Sequence, residues 1–191
     1  MRRVSGLLTK PMPQIGDFEG LYYRYYYSFG FRGMVIRTLF SLKRQGDFYV
    51  TKHIERIPRS QAPGGFPATF KYDGIVLYLS GRLFVLEYDT LLESTICEMI
   101  MAPVSRPGAR LLSGVHSSIT TGTGNEPTCT RVVLEYLGQQ VDLRGAMRNC
   151  GLIDPAAGEI DPAILALIKN NNRADAFTFR ARRIEGGPGT R

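Results

Sequence analysis

The chain has 191 residues, 43% hydrophobic and 21% charged, which suits one globular domain that can bury a core without covalent staples. Three widely spaced cysteines, Cys97, Cys129 and Cys150, exclude a disulfide framework and a CxxC pair, and no apolar run approaches the ~20 residues of a bilayer-spanning helix. The net charge of +7 sits at the two ends, +3 over residues 1–10 and +3 over residues 180–191, which leaves the body near +1 and argues against a basic stripe on a folded face.

The opening Met1-Arg2-Arg3 is basic, but only Gly6-Leu7-Leu8 follows before Pro11 and Pro13, too short for a secretory apolar region. The expectation is a cytoplasmic protein with free thiols. Residues 1–17 read as an irregular lead.

Glu19–Ser28 reads as the first strand, because its five tyrosines favour β structure. A period of two puts Tyr23, Tyr25 and Tyr27 on one face and Tyr22, Arg24, Tyr26 and Ser28 on the other. Neither face is cleanly polar, so both are expected to be covered. Met34–Lys43 and Phe48–Ile57 follow as strands two and three, joined at Gln45-Gly46-Asp47 and ended by Pro58.

A Pro/Gly-rich loop over 59–67 precedes three short segments, Ala68–Asp73, Ile75–Leu79 and Leu83–Tyr88. Asp73-Gly74 is either a turn between two of them or a bulge within one longer strand. Asp89–Glu93 reads as a turn or a short helical step, Thr95–Met101 as another strand, and 102–109 as a second long loop. Arg110–Thr120 and Thr128–Leu137 form a last hairpin; β-branched Val132 and Val133 favour strand over helix there.

After Gly138 the period changes. Asp142 caps a helix that Gly151 ends, and Asp161-Pro162 starts a second with Ile164, Leu165, Leu167 and Ile168 as its buried stripe. Residues 176–184 alternate like a returning strand, and 185–191 form a tail. About eight antiparallel strands in a meander, as a barrel or a sandwich, with short helices near 142–150 and 161–170, make a mainly β domain over 18–184.

No reactive signature stands out. His53 and His116 have no ligand partner at metal spacing, so His53 is expected to face solvent on its strand and His116 to lie on a loop. Gly122-Thr123-Gly124 is followed by no helix pattern and reads as a hairpin turn. Cys97 or Ser113 with His116 would need the fold to bring them together, and Glu87 and Asp89 read as a solvated strand end. No cofactor or metal is expected.

Polar residues within aromatic strands are the suggestive feature. An arginine facing a barrel interior must be paired or must await an anion. Tyr23, Arg24, Tyr25, Arg37 and Arg131 are therefore the candidate ligand-binding residues, lining a pocket for a planar or anionic small molecule. Alternatively the arginine stems cover outer apolar surface.

Phe18-Glu19-Gly20-Leu21-Tyr22-Tyr23, Tyr72-Asp73-Gly74, the run Arg131-Val132-Val133-Leu134-Glu135-Tyr136-Leu137-Gly138 and Asp142-Leu143-Arg144 together resemble a domain found C-terminal to a helix-turn-helix in some bacterial regulators. The resemblance covers most of 18–183 and implies a sensing or regulatory module. Residues 1–17 are too short for a helix-turn-helix, so direct nucleic-acid binding is not expected.

Three functions are compatible with these residues. The first is a non-enzymatic cytoplasmic module that binds a small molecule or protein partner, with room for a homo-oligomer and no membrane role. The second is a calycin-like enzyme working inside the barrel. The third is a nucleic-acid accessory protein using its basic termini.

Overall fold

Alternating apolar and polar residues build eight strands into a closed antiparallel barrel in the computed structural model, which describes residues 6, 10–57, 60, 68–101, 111–120 and 125–171. The strands are β1 (Gly20–Tyr27), β2 (Val35–Gln45), β3 (Phe48–Ile57), β4 (Ala68–Leu79), β5 (Arg82–Asp89), β6 (Ile96–Met101), β7 (Leu111–Ile119) and β8 (Pro127–Gly138). Each pairs with the next, and β1 also pairs with β8, which closes the cylinder. Closure, rather than two packed sheets, removes the unpaired edges of an open meander.

Asp73-Gly74 lies inside β4, whose pairing with β3 and β5 runs through it without a shift. Glycine is required there by close approach: a Cβ on Gly74 would sit 2.6 Å from Thr51 Oγ1 and 2.9 Å from Glu87 Cγ. The missing side chain leaves room for the Glu87 carboxylate inside the barrel.

The period of two separates the barrel's inside from its outside. Tyr22, Arg24 and Tyr26 point inward on β1, with Phe40, Met99, Val132 and Leu134 among their buried neighbours. A short 3-10 helix, Pro13–Phe18, within the stretch expected to be irregular, closes one end of the barrel with buried Met12 and Ile15. Tyr22 seals that plug by donating its hydroxyl to the Phe18 carbonyl at 2.7 Å.

The outer face of β1 and its neighbours is covered by the segment after Gly138. Helix α1 (Leu143–Arg148) is capped by Asp142 accepting from Arg144 N–H at 3.1 Å. Helix α2 (Pro162–Ile168) is capped by Asp161 accepting from Ala163 N–H at 2.8 Å, with proline in its first turn. Ile164 and Ile168 of α2 pack on Tyr25, Val35, Val133 and Ile153.

Gly151, expected to end a helix, instead begins a short ninth strand, β9 (Gly151–Ile153), paired with Val35–Arg37 of β2. The pairing of β3 with β2 reaches only to Leu39, so β9 covers the stretch of edge that β3 leaves bare.

The strand expected over 176–184, the tail 185–191, the loop over 102–109, most of the loop over 59–67 and the Gly122–Gly124 turn lie outside the described residues. So do most residues of the basic ends. No helix among the described residues is long and apolar enough to cross a membrane.

Candidate functional site

Arg24 organises the interior. It is fully buried, and Nη1 donates to Glu87 Oε2 at 2.6 Å. Thr51 Oγ1 donates to the other carboxylate oxygen at 3.4 Å. Two imidazoles flank the guanidinium: His53 Nδ1 lies 3.1 Å from Nη1 and His116 Nδ1 lies 2.9 Å from Nη2. Arg24 Nε has no hydrogen-bond partner among the described residues.

Arginine only donates, so the His53 nitrogen that faces it accepts. Nδ1 of His53 is therefore bare, and Nε2 carries the proton and donates to Thr38 Oγ1 at 2.9 Å. His116 also brings Nε2 to 3.2 Å from Arg24 Nη2, while its Nδ1 lies 3.3 Å from the Glu98 carbonyl. Nδ1 either accepts from Arg24 Nη2 or donates to the Glu98 carbonyl, and in the second tautomer Nε2 accepts from Arg24. Aromatic rings fix both imidazoles: Tyr72 stacks on His53 with centroids 5.0 Å apart, and Phe29 on His116 at 5.4 Å.

Electrostatics follow from this packing. Burial, then the neighbouring Arg24 charge, hold both histidines well below their ordinary pKa, and the Glu98 carbonyl only partly offsets this at His116. Burial opposes the charge on Arg24, but Glu87 and the groups around it outweigh that, and its pKa lies above the ordinary value. Burial pushes the Glu87 carboxyl upward, with Arg24 and Thr51 pulling against it. The cluster is a guanidinium–carboxylate pair between two neutral imidazoles.

These placements correct two expectations. His53 does not face solvent and His116 is not on a loop; both point into the barrel, on β3 and β7. Glu87 and Asp89 are not a solvated strand end, because their parity on β5 turns both inward. Asp89 accepts from the N–H groups of Leu91 at 3.0 Å and Leu92 at 3.3 Å and from the Ser94 hydroxyl at 3.0 Å, which builds the turn after β5.

Beyond this cluster the barrel opens into a cavity of about 500 Å³ at the end opposite the plug. Its floor is His53 and His116, and its walls include Tyr26, Phe70, Tyr72 and Cys97. Phe29, Phe31 and Leu92 stand near the mouth. Glu55 is half-buried in the wall and accepts from the Tyr26 hydroxyl at 2.7 Å. Burial raises its pKa, and the Tyr26 bond and Arg24 oppose the rise. Burial also raises the Tyr26 and Tyr72 hydroxyls well above their usual range.

Of the five residues proposed from sequence, only Arg24 enters the interior, and it lies behind the histidine floor. The other four hold the outer wrapping. Tyr23 donates to the Ala146 carbonyl at 3.2 Å and accepts from Asn149 at 3.1 Å. Tyr25 donates to Glu135 at 2.8 Å. Arg37 donates to the Asn149 carbonyl at 2.5 Å and lies over the Tyr23 and Tyr25 rings.

Arg131 donates to the carbonyls of Lys169 and Asn171, at the end of α2. Arg37 and Arg131 thus serve the last carbonyls of two helices, groups that have no partner within the helix itself. Asn170 accepts from Arg131 N–H at 2.9 Å, just past Val132, the last β8 residue paired with β1.

Among the described residues no group of three His, Cys, Asp or Glu side chains is placed to hold a metal ion. The space between the two histidines, where an ion would sit, is filled by the Arg24 guanidinium. No family model, curated protein or solved structure matches the chain.

Proposed function

We propose that the barrel is a small-molecule-binding module of the regulatory or sensor kind, without catalysis of its own. The carrying observation is the one-ended cavity of about 500 Å³, within the usual size of ligand pockets, with aromatic walls over an ordered polar floor. The floor is held by its own contacts: Arg24 is shared among Glu87 and both histidines, and Glu87 is further tied to Thr51. Such a set is rigid and pre-arranged, which lowers the ordering cost of binding a ligand above it.

The test is titration with an environment-sensitive apolar fluorophore. Ala68, the first residue of β4, also lines the cavity; saturable one-to-one binding to the wild type, lost in a space-filling Ala68→Trp variant of unchanged melting temperature, supports the reading. A signal that neither saturates nor responds to the block contradicts it.

A second reading, an enzyme acting inside the barrel, is favoured by one observation. Glu55 is a half-buried carboxyl with raised pKa, bonded to Tyr26 and facing the cavity, the environment of a general acid–base group. Turnover of a bound compound by the wild type and its loss in Glu55→Gln would establish this reading over the first.

A further inference from the structure

The described lining of the cavity has one sign of charge. Among the described residues around it no lysine or arginine appears, although the chain as a whole carries +7. Arg24 lies beneath the histidine floor, with its charge matched by Glu87 at 2.6 Å. The carboxylate side chains at the cavity are Glu55 and Asp89.

Asp89 adds negative charge, but its oxygens are engaged by the turn after β5. Glu55 is different. Tyr26 occupies Oε2, and Oε1 has no hydrogen-bond partner among the described residues.

The aromatic walls act in the same direction. Tyr26, Phe29, Phe31, Phe70 and Tyr72 line the space; one face of Phe29 is taken by His116 and one of Tyr72 by His53, while Phe31 and Phe70 have no ring partner among the described residues. Aromatic faces attract cations, most strongly where water is displaced. Among the described residues, an anion entering here would meet two carboxylates and no lysine or arginine. A cation would meet, among the described residues, the unpartnered Glu55 Oε1 and an aromatic lining.

We propose that the cavity selects an organic ammonium compound, an amine on an apolar or aromatic body, with the ammonium held at Glu55. This inference rests on the cavity being a ligand site and adds the class of ligand. It reverses the anionic ligand expected from the arginines, because those arginines stand outside the cavity or behind its floor.

Three indole compounds of similar size and different charge make the test: tryptamine as the cation, tryptophol as the neutral form and indole-3-propionate as the anion. Each competes against a fluorophore seated in the cavity of the full chain, in wild type and Glu55→Gln. The expected order is tryptamine, tryptophol, indole-3-propionate, with about tenfold between the first two. Glu55→Gln keeps an acceptor for Tyr26 and should remove most of the tryptamine preference over tryptophol.

Equal or tighter binding of tryptophol or indole-3-propionate in the wild type overturns the cation assignment and leaves the ligand site standing. A tryptamine preference that Glu55→Gln leaves undiminished also overturns it. If the fluorophore and all three indoles fail to enter, the ligand site itself is refuted.

Discussion

Replacing Arg24 with methionine should be the most costly single change in the interior. Methionine fills the space of the arginine stem but leaves Glu87 as a buried carboxylate without its 2.6 Å partner. Removing one member of a buried pair typically costs about 3–5 kcal/mol. In a chain of this length each kcal/mol moves the melting temperature by about 2–4 °C, so the drop at pH 7.5 should be on the order of 6–20 °C.

The pH dependence makes this prediction specific. Without the guanidinium a proton takes its place, on Glu87 or on His53, whose Nδ1 lies 3.7 Å from Glu87 Oε2. Either group then has a pKa raised in the fold above its unfolded value. Its contribution is present at low pH and is lost as pH rises through the folded pKa.

The gap between wild type and variant should therefore narrow as pH falls, by up to about 1.4 kcal/mol per pH unit. Urea or thermal unfolding at pH 7.5 and pH 5.5 measures it. A loss below about 1 kcal/mol at pH 7.5, or a gap unchanged at pH 5.5, would refute the buried-pair account.

Three further outcomes are expected. The native ring resonances of His53 and His116, followed by NMR, should titrate well below pH 6.5, since burial and Arg24 disfavour their protonation; a midpoint at or above 6.5 contradicts the cluster. Gly114→Ala should destabilise by about 1–3 kcal/mol in denaturant unfolding, because a Cβ there meets the Ile100 carbonyl and lies 2.8 Å from the Met101 sulfur. In a Cys129→Ser background Cys97, which lines the cavity, should react slowly with a small maleimide and more slowly still with tryptamine bound, whereas buried Cys150, away from the cavity, should be indifferent to the ligand.

The barrel was legible in the sequence because turn residues and a period of two mark each strand locally. Phe48–Ile57 matches β3 end to end, and Asp142 and Asp161 cap the two helices as their side chains suggest. Closure was less legible than the strands, since pairing of β1 with β8 joins residues more than a hundred positions apart.

The site was harder. Composition singles out the arginines, but parity decides which side of the wall they occupy, and whether one side is inside depends on the whole cylinder. Arg24 shares its inward face with Tyr22 and Tyr26, whereas Arg37 points out to the helix that no strand pattern announces.

His53 and His116 look unrelated in the sequence, 63 positions apart, because nothing local tells that β3 and β7 face each other across the barrel. One signal was available: His53 and Glu55 alternate with Tyr49 and Thr51 on one face of β3, a polar and aromatic set, while Val50 and Ile54 lie on the other. That pattern fits a polar interior as well as a solvated face, and only closure separates the two.

The direct test of the account is where a bound molecule sits. Backbone and side-chain NMR shifts, mapped at saturating tryptamine, should move most at Tyr26, Phe29, Glu55, Phe70, Tyr72 and Ser118 around the open end of the barrel. Largest shifts on the outer groove near Leu39, Ile54 and Val141 would contradict a ligand site inside the barrel.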